Sequence, residues 1–396
     1  MPGHREPDKL SRIRRRFQFL TVTLLMTAIW LPTLGQIVLP APSQSLTEKR
    51  FLAPWPSLTW SIDGLRTWPA SFEAWYDDHL GFRDWLIGSW ARFNVQGFGI
   101  SPSPLTIIGK EGWLFLGDPD VVSNYRGLAP LTPFELERWG KVLTERRDWL
   151  SNQGIEYLVV LVPDKNLIYG EYMPDSLPRV GQNHPLEQLS TYLETHSDLP
   201  WLDLQEIMLK NKEATRLYHK TDSHWNEAGA YLAYQEIHKR LGDTLPSLNR
   251  NPPIRVRSEE YVRPGLGLAV TVSMEDQYQE SIVALPPIAP HARERIADEE
   301  QPRNPRRVLK SRIFETSDPL QPRAIVFRDS FANALIPYLA EDFSRSVFIW
   351  DRDVDPEAVL MEKPDIVIQE IAGRFLGRRP RTLDEIRARN RRRQEK

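Results

Sequence analysis

Apolar residues fall into three successive patterns along this chain, and each predicts a different kind of element. Residues 17–39 form an uncharged, mostly apolar run of 23. At about 1.5 Å per helical residue that run can cross a hydrocarbon layer of about 30 Å, although Pro32, Gly35 and Gln36 interrupt its far end. Residues 40–69, rich in Pro, Ser and Trp, read as a linker. From 70 to 98 the apolar residues recur at helical intervals (Phe72, Trp75, Tyr76, Leu80, Trp85, Leu86, Trp90, Phe93), with a break near Gly81. This predicts two helices packed on a core. Two short β-type runs at 105–108 and 113–116, separated by Gly109-Lys110-Glu111-Gly112, predict a hairpin.

Beyond residue 130 the pattern alternates. Thr132 and Pro133 open a helix over 133–152 that Gly154 should end. Residues 155–162, apolar but for Glu156 and continuous in Leu and Val from 158, carry the signature of a strand buried on both faces. A helix over 186–195, a strand over 201–204 and a helix over 226–241 follow. From 246 to 322 the rhythm fails in a proline-rich, charged stretch with short β-like pieces at 266–272 and 281–285, read as an irregular insertion. It resumes with strand 323–327, helix 331–343, strand 346–350, helix 356–362 and strand 365–369. Such alternation predicts an α/β fold, a parallel sheet with helices on both faces, whose active site should lie at the carboxyl ends of the strands.

Composition adjusts this picture at the ends. With 396 residues, 41% of them hydrophobic, the chain can bury one large domain with additions or two smaller ones. The formal charge of -2 selects no partner and gives no sign of nucleic-acid binding. Charge is uneven, however. Arg5, Lys9, Arg12, Arg14, Arg15 and Arg16 precede the first apolar run, which argues for a cytoplasmic N-terminus with the remainder outside the cytoplasm. The run exceeds a usual signal-peptide core and no A-x-A site follows, so it reads as a signal anchor rather than a cleaved leader. A buried helix of a soluble protein seldom carries so many arginines before it. The end beyond 376 is again dominated by arginine, and such tails are usually solvated. The partition is a basic cytoplasmic segment 1–16, an anchor 17–39, a linker 40–69, a domain 70–376 and a basic tail 377–396. Absence of cysteine excludes disulfides, thiolate chemistry and Cys-based zinc sites.

The chemistry-bearing stretches are Thr221-Asp222-Ser223-His224-Trp225-Asn226 and Val326-Phe327-Arg328-Asp329-Ser330-Phe331. A serine hydroxyl needs an imidazole to take its proton, and the imidazole needs a carboxylate to fix its tautomer. Asp222 and His224, one residue apart, can lie on the same side of an extended segment. Ser330 stands three residues past a strand end, where the following helix would offer N–H groups to an oxyanion. Other readings compete. Asp222 or Ser223 could cap the helix near 226, and Ser330 could cap its own. His219, Asp222 and His224 could ligate a metal, but no further His/Glu cluster completes that site. Lys165 and Tyr169 follow a strand end, as Arg374 does, where ligand contacts compete with snorkelling and core packing.

Lys220–Tyr234, Phe327–Phe343 and Lys363–Phe375 resemble the SGNH-hydrolase-like family that includes the periplasmic alginate O-acetyltransferases and the related DHHW proteins. The resemblance extends to Phe72-x-x-Trp75-x-x-Asp78-His79-x-Gly81-Phe82-Arg83, to Gly109-Lys110-x-Gly112-Trp113-Leu114-Phe115 and to Val162-Pro163-x-Lys165-x-x-x-Tyr169. It implies an SGNH-like fold, with Asp222, His224 and Ser330 as a triad that transfers an acyl group, usually acetyl, to hydroxyls of a polysaccharide. It implies no cofactor or metal. It also implies a membrane-bound O-acyltransferase as donor partner, and a place in the bacterial inner membrane with the catalytic domain periplasmic. An acetyl esterase with the same triad and a glycan-binding export component are the alternatives. Arg328 stands where such enzymes commonly have glycine, and could bind an anionic sugar. Asn333 is a candidate second oxyanion donor.

Overall fold

A computed structural model describes residues 9–38, 43–45, 50–248, 252–295 and 311–394. Arg5, parts of the predicted linker and of the 246–322 stretch, and the last two residues of the basic tail lie outside the described residues. The chain divides into two compact units, one of described residues up to Ser103 together with Val270–Met274, the other of Pro104–Ala269 and Glu275 onwards.

The first unit begins with helix α1 (Lys9–Val38), in which Arg12–Gln36 is long and apolar enough to cross a membrane and its most apolar stretch is exposed, whereas Gly35 near its end is buried. Helix α2 (Ile62–Asp78) starts where Ser61 Oγ accepts the Gly64 N–H at 3.0 Å. Helix α3 (Arg83–Phe98) ends on Gly99, whose φ of 65° is the left-handed conformation glycine adopts without strain. Both helices lie within the predicted 70–98 region or overlap it, but they do not bury a shared core. Trp85, Trp90 and Phe93 are more than half exposed. The α/β unit therefore opens at Pro104, not at residue 70.

The second unit opens with the expected hairpin, β1 (Thr106–Ile108) and β2 (Leu114–Leu116). Helix α4 (Pro133–Ser151) has Pro133 in its first turn and a capping box, with Thr132 N–H on Glu135 at 2.8 Å and Glu135 N–H on Thr132 Oγ1 at 3.3 Å. Strand β3 (Glu156–Val162), helix α5 (Pro185–His196), strand β4 (Trp201–Asp203) and helix α6 (Glu227–Thr244), capped by Asn226, follow. Then come the hairpin β5 (Glu259–Pro264) and β6 (Gln279–Ala284), and the short strands β7 (Arg293–Glu294) and β8 (Ser311–Glu315). Strand β9 (Arg323–Phe327), strand β10 (Arg345–Ile349), helix α7 (Pro356–Glu362), strand β11 (Ile366–Ala372) and helix α8 (Leu383–Gln394) complete the chain.

The main sheet runs β4-β3-β11-β9-β10-β8-β7. Its first five strands are parallel, and β8 and β7 add an antiparallel edge. Alternation along each strand divides the core. Leu158, Val160 and Val162 of β3 pack with Ala230, Ala233 and Ile237 of α6, while Tyr157, Val159 and Leu161 pack with Leu143 of α4 and Leu189 of α5.

Four readings need correcting. Part of the supposed insertion is sheet, since β7 and β8 extend it. Residues 267–271 form a short helix, Gly267–Thr271, instead of a β-like piece. The predicted helix 331–343 is broken into a 3-10 turn Phe331–Ala334, a single helical turn Ile336–Leu339 and a second 3-10 turn Ala340–Asp342. Pro337 has no N–H to continue a longer helix. The basic tail is not solvated through most of its length. In α8 Leu383 and Ile386 are buried, Arg389 pairs with Asp351 at 2.9 Å, and Asn390 donates to Asp355 at 3.1 Å.

Candidate active site

Three carboxyl strand ends converge. Asp164 and Lys165 follow β3, Arg328 to Ser330 follow β9, and Arg374 follows β11. The segment 219–226, which leads into α6, lies across them.

The His224 Nδ1 lies 2.6 Å from Asp222 Oδ1, and its Nε2 lies 2.7 Å from Ser330 Oγ. The sequence separates the last pair by 106 positions. The backbone N–H of His224 also donates to Asp222 Oδ1 at 3.1 Å, so the carboxylate is gripped by ring and main chain together. Its other oxygen accepts the Gly267 N–H at 3.1 Å. Burial alone would raise the Asp222 carboxyl, but the hydrogen bonds and charge of His224, with a smaller contribution from His219, hold it well below the usual carboxylate range. It is therefore ionised at neutral pH. The His224 side chain is about a third exposed at 31%, so the ring remains reachable. This is the order of contacts that an activated serine requires.

The segment carrying the pair is held from several sides. The Lys165 ammonium donates to the carbonyls of His219, Lys220 and Asp222 at 2.9, 3.0 and 2.7 Å, and lies 4.9 Å from the centre of the Phe115 ring. Burial pushes Lys165 down from the ordinary lysine range, opposed by the charges of Asp222 and Glu280. Across the segment, Glu280 of β6 accepts the Lys220 N–H at 3.1 Å and the Thr221 N–H at 2.8 Å, and pairs with Arg216 at 2.9 Å. Burial works against that ionised carboxylate, yet its bonds to His219 and Thr221 and the Arg216 charge bring it down to about 2. The Leu266 N–H donates to Thr221 Oγ1 at 2.9 Å. The Tyr169 hydroxyl accepts the Leu217 N–H at 2.9 Å, its ring stacked 4.5 Å from Trp113.

The Ser330 side is equally ordered. Asp329 is buried, its carboxylate accepting the N–H groups of Phe331 at 2.9 Å and Ala372 at 3.1 Å. Glu370 accepts the Asp329 N–H at 2.8 Å. Burial first, then the neighbouring Asp329 charge, push Glu370 well above the usual carboxylate range. Trp225 ties the two motifs, because its indole N–H donates to the Phe331 carbonyl at 3.0 Å and its ring meets Phe331 edge-on at 5.3 Å. Among the described residues the backbone N–H groups of Ser330 and Ala332 have no acceptor; Ala332 is fully buried, whereas Ser330 keeps partial exposure, so the Ser330 N–H is the one open to an oxyanion.

The remaining candidates are placed as follows. Arg328 is buried, its guanidinium 4.4 Å from the Trp350 ring and donating to Asn333 Oδ1 at 2.7 Å. Asn333 is exposed with its amide oxygen so engaged. Arg374 donates through Nε to Asp164 at 2.6 Å, lies 4.9 Å from the Phe331 ring, and lines a recess with Phe115, Leu116, Asn166 and Ser223. The structure thus brings Asp222, His224 and Ser330 into one chain of contacts with Arg374 close by. Lys165 and Tyr169 sit behind the backbone of the segment 217–222, committed to its carbonyl and N–H groups. Among the described residues no cluster of three His, Cys, Asp or Glu is placed to hold a metal ion. Sequence reasoning missed Glu280, Gly267, Asp164 and Asp329, of which only Asp329 had a signal, a carboxylate just past an apolar strand. Glu370, expected from the sequence to pair with Arg374 or meet a sugar, instead accepts the Asp329 N–H, while Arg374 pairs with Asp164.

Residues 106–313 match the family described as SGNH hydrolase-like domain, acetyltransferase AlgX. Ser330 lies beyond the matched span. The probable alginate O-acetylase AlgJ of Pseudomonas syringae pv. tomato is 24% identical over 187 residues, 45% of this chain and 44% of that protein. The chain therefore spans about half the length of the curated relatives it matches. PatB1 of Bacillus cereus superposes with a TM-score of 0.49 at 17% identity, covering 69% of this chain and 99% of that one. The O-acetyltransferase domain of Pseudomonas putida AlgJ gives 0.45 at 18%, covering 70% and 93%.

Proposed function

We propose, on the footing that this chain belongs to the SGNH hydrolase-like domain family of the acetyltransferase AlgX, that it moves an acetyl group through an acyl-Ser330 intermediate to hydroxyls of an extracytoplasmic polysaccharide. The observation that carries this is the unbroken line from Asp222 through His224 to Ser330, with contacts of 2.6 and 2.7 Å.

In the first half-reaction Ser330 Oγ attacks the donor's acyl carbon while its proton passes to His224 Nε2. Asp222 stabilises the resulting imidazolium. The Ser330 N–H receives the oxyanion, and collapse expels the donor's leaving group, which takes the proton from His224. In the second half a sugar hydroxyl gives its proton to His224 and attacks the acyl-serine, and Ser330 regains the proton as it leaves. Arg374, over Phe331 and lining the adjacent recess, is the cation best placed to meet the acceptor. Lys165 and Tyr169 act on the substrate only indirectly, by fixing the loop.

The apolar segment Arg12–Gln36, with arginines at its start, serves as a single-pass anchor in the bacterial inner membrane, with the catalytic unit in the periplasm. A membrane-bound O-acyltransferase supplies the acetyl group. The experiment is to label the protein with a serine-directed phosphonate and then offer an acetyl ester with and without oligosaccharide. The proposal expects labelling that Ser330→Ala and His224→Ala abolish, and acetylated sugar as product. Free acetate alone, with labelling intact, means water is the acceptor and the protein is an esterase. No labelling, with glycan binding retained in Ser330→Ala, makes it a binding component.

A further inference from the structure

Helix α3 in the first unit is amphipathic with its apolar face outward. At about 100° per residue, Trp85, Leu86, Trp90 and Phe93 fall within an arc of roughly 140°, while Gly88 and Ala91 on the far side are buried. The four outward side chains are 65%, 40%, 61% and 58% exposed, and Phe98 and Ile100 continue the surface at 62% and 58%. Trp90 and Phe93 stack at 6.2 Å and Phe93 meets Phe98 edge-on at 5.3 Å, so the strip is continuous. A water-soluble surface does not carry such a strip without a partner.

Where α3 begins indicates the partner. The turn between α2 and α3 is seated on the last turns of α1. Gly81 N–H donates to the Pro32 carbonyl at 3.1 Å, and the hydroxyls of Tyr76 and Thr33 share a hydrogen bond of 2.9 Å. The approach is close enough to demand glycine on both sides. A Cβ on Gly81 would meet Gln36 N and Pro32 O at 2.4 Å, and one on Gly35 would meet the Phe82 ring at 2.6 Å. Phe82 itself takes a φ of 62°, a left-handed conformation that residues with side chains rarely adopt, and its ring covers Gly35. So α3 starts at the end of the apolar segment remote from its arginines, at the depth where a bilayer turns from hydrocarbon to headgroups. That is the layer in which tryptophan concentrates in membrane proteins.

We infer that the outward strip of α3 lies in the lipid interface on the side where α1 emerges, giving this unit a second membrane contact that stops it swivelling on one helix. The inference rests on α1 crossing the bilayer, as proposed above. A second copy of the chain or another membrane protein on the strip is the competing occupant.

The absence of native cysteine makes the test direct. Full-length Leu86→Cys and Phe93→Cys, each carrying a nitroxide, are placed in vesicles of phosphatidylethanolamine and phosphatidylglycerol, with Leu25→Cys marking the span and Glu73→Cys marking an exposed polar site on α2. The inference expects labels at 86 and 93 to favour oxygen over a water-soluble nickel chelate severalfold more than the label at 73, with the label at 25 deeper still. If 86 and 93 match 73 while 25 is in lipid, the interface contact is refuted and the span survives. If 25 also behaves as in water, the span reading fails and takes the inference with it. Labels at 86 and 93 shielded from both reagents would mean that protein covers the strip, which also overturns it. Leu86→Cys removes no aromatic ring, so it guards against loss of attachment in the Phe93 variant.

Discussion

Replacing Lys165 by methionine tests whether the catalytic loop is held from behind. The stem keeps its volume, but three carbonyls, those of His219, Lys220 and Asp222, lose donors at 2.7–3.0 Å. Each unsatisfied buried acceptor costs about 1–3 kcal/mol. Removal of a buried cation returns part of that sum, so a net loss of about 3 kcal/mol is expected, a fall in Tm of roughly 6–10 °C for a unit of this size. The larger effect falls on rate. If the freed loop lets His224 move about 1 Å from Ser330, acylation slows on the order of 100-fold. The measurements are the burst rate with an activated acetyl ester and thermal unfolding by circular dichroism. Because Lys165 acts only through that loop, Lys165→Met combined with His224→Ala should be no slower than His224→Ala alone. A Lys165→Met enzyme with a parental burst rate, or a double variant slower than the single, would refute the reasoning.

Asp222→Asn, which leaves the ring without its anionic partner, should cut phosphonate labelling roughly 10,000-fold with the fold intact by circular dichroism. Trp225→Phe, which removes one bond to the Phe331 carbonyl, should lose about 1 kcal/mol, roughly a fivefold drop in acylation rate measured with the same ester. Glu280 is held at about 2 against an ordinary 4.5. Its folded value is depressed, so the stability it contributes, about 3 kcal/mol, is fully present above the unfolded value and is lost as pH falls from 4.5 toward 2. Glu280→Gln should therefore flatten urea-measured stability across that acid window. Ile386→Ala should destabilise by about 3 kcal/mol in urea unfolding, whereas a solvated tail would tolerate it.

What the sequence alone determined is the order and type of the main strands and helices over residues 106–244 and 323–372, apart from the helix expected over 331–343. Helix α4 was legible because its cap, its first-turn proline and its apolar spacing are all local, and β3 and β9 because a strand buried on both faces must be apolar throughout. The two motifs were legible for the same reason, as short runs placed at element boundaries. Tertiary structure decided everything that depends on which elements are neighbours. It set Ser330 beside His224, turned Lys165 inward onto three carbonyls, supplied Gly267 and Glu280 from a stretch that looked irregular, and folded the arginine-rich tail onto Asp351, Asp353 and Asp355. Periodicity tells which face of an element is apolar. A buried polar side chain is satisfied by partners tens to hundreds of residues away, and only the packed sheet brings them within reach.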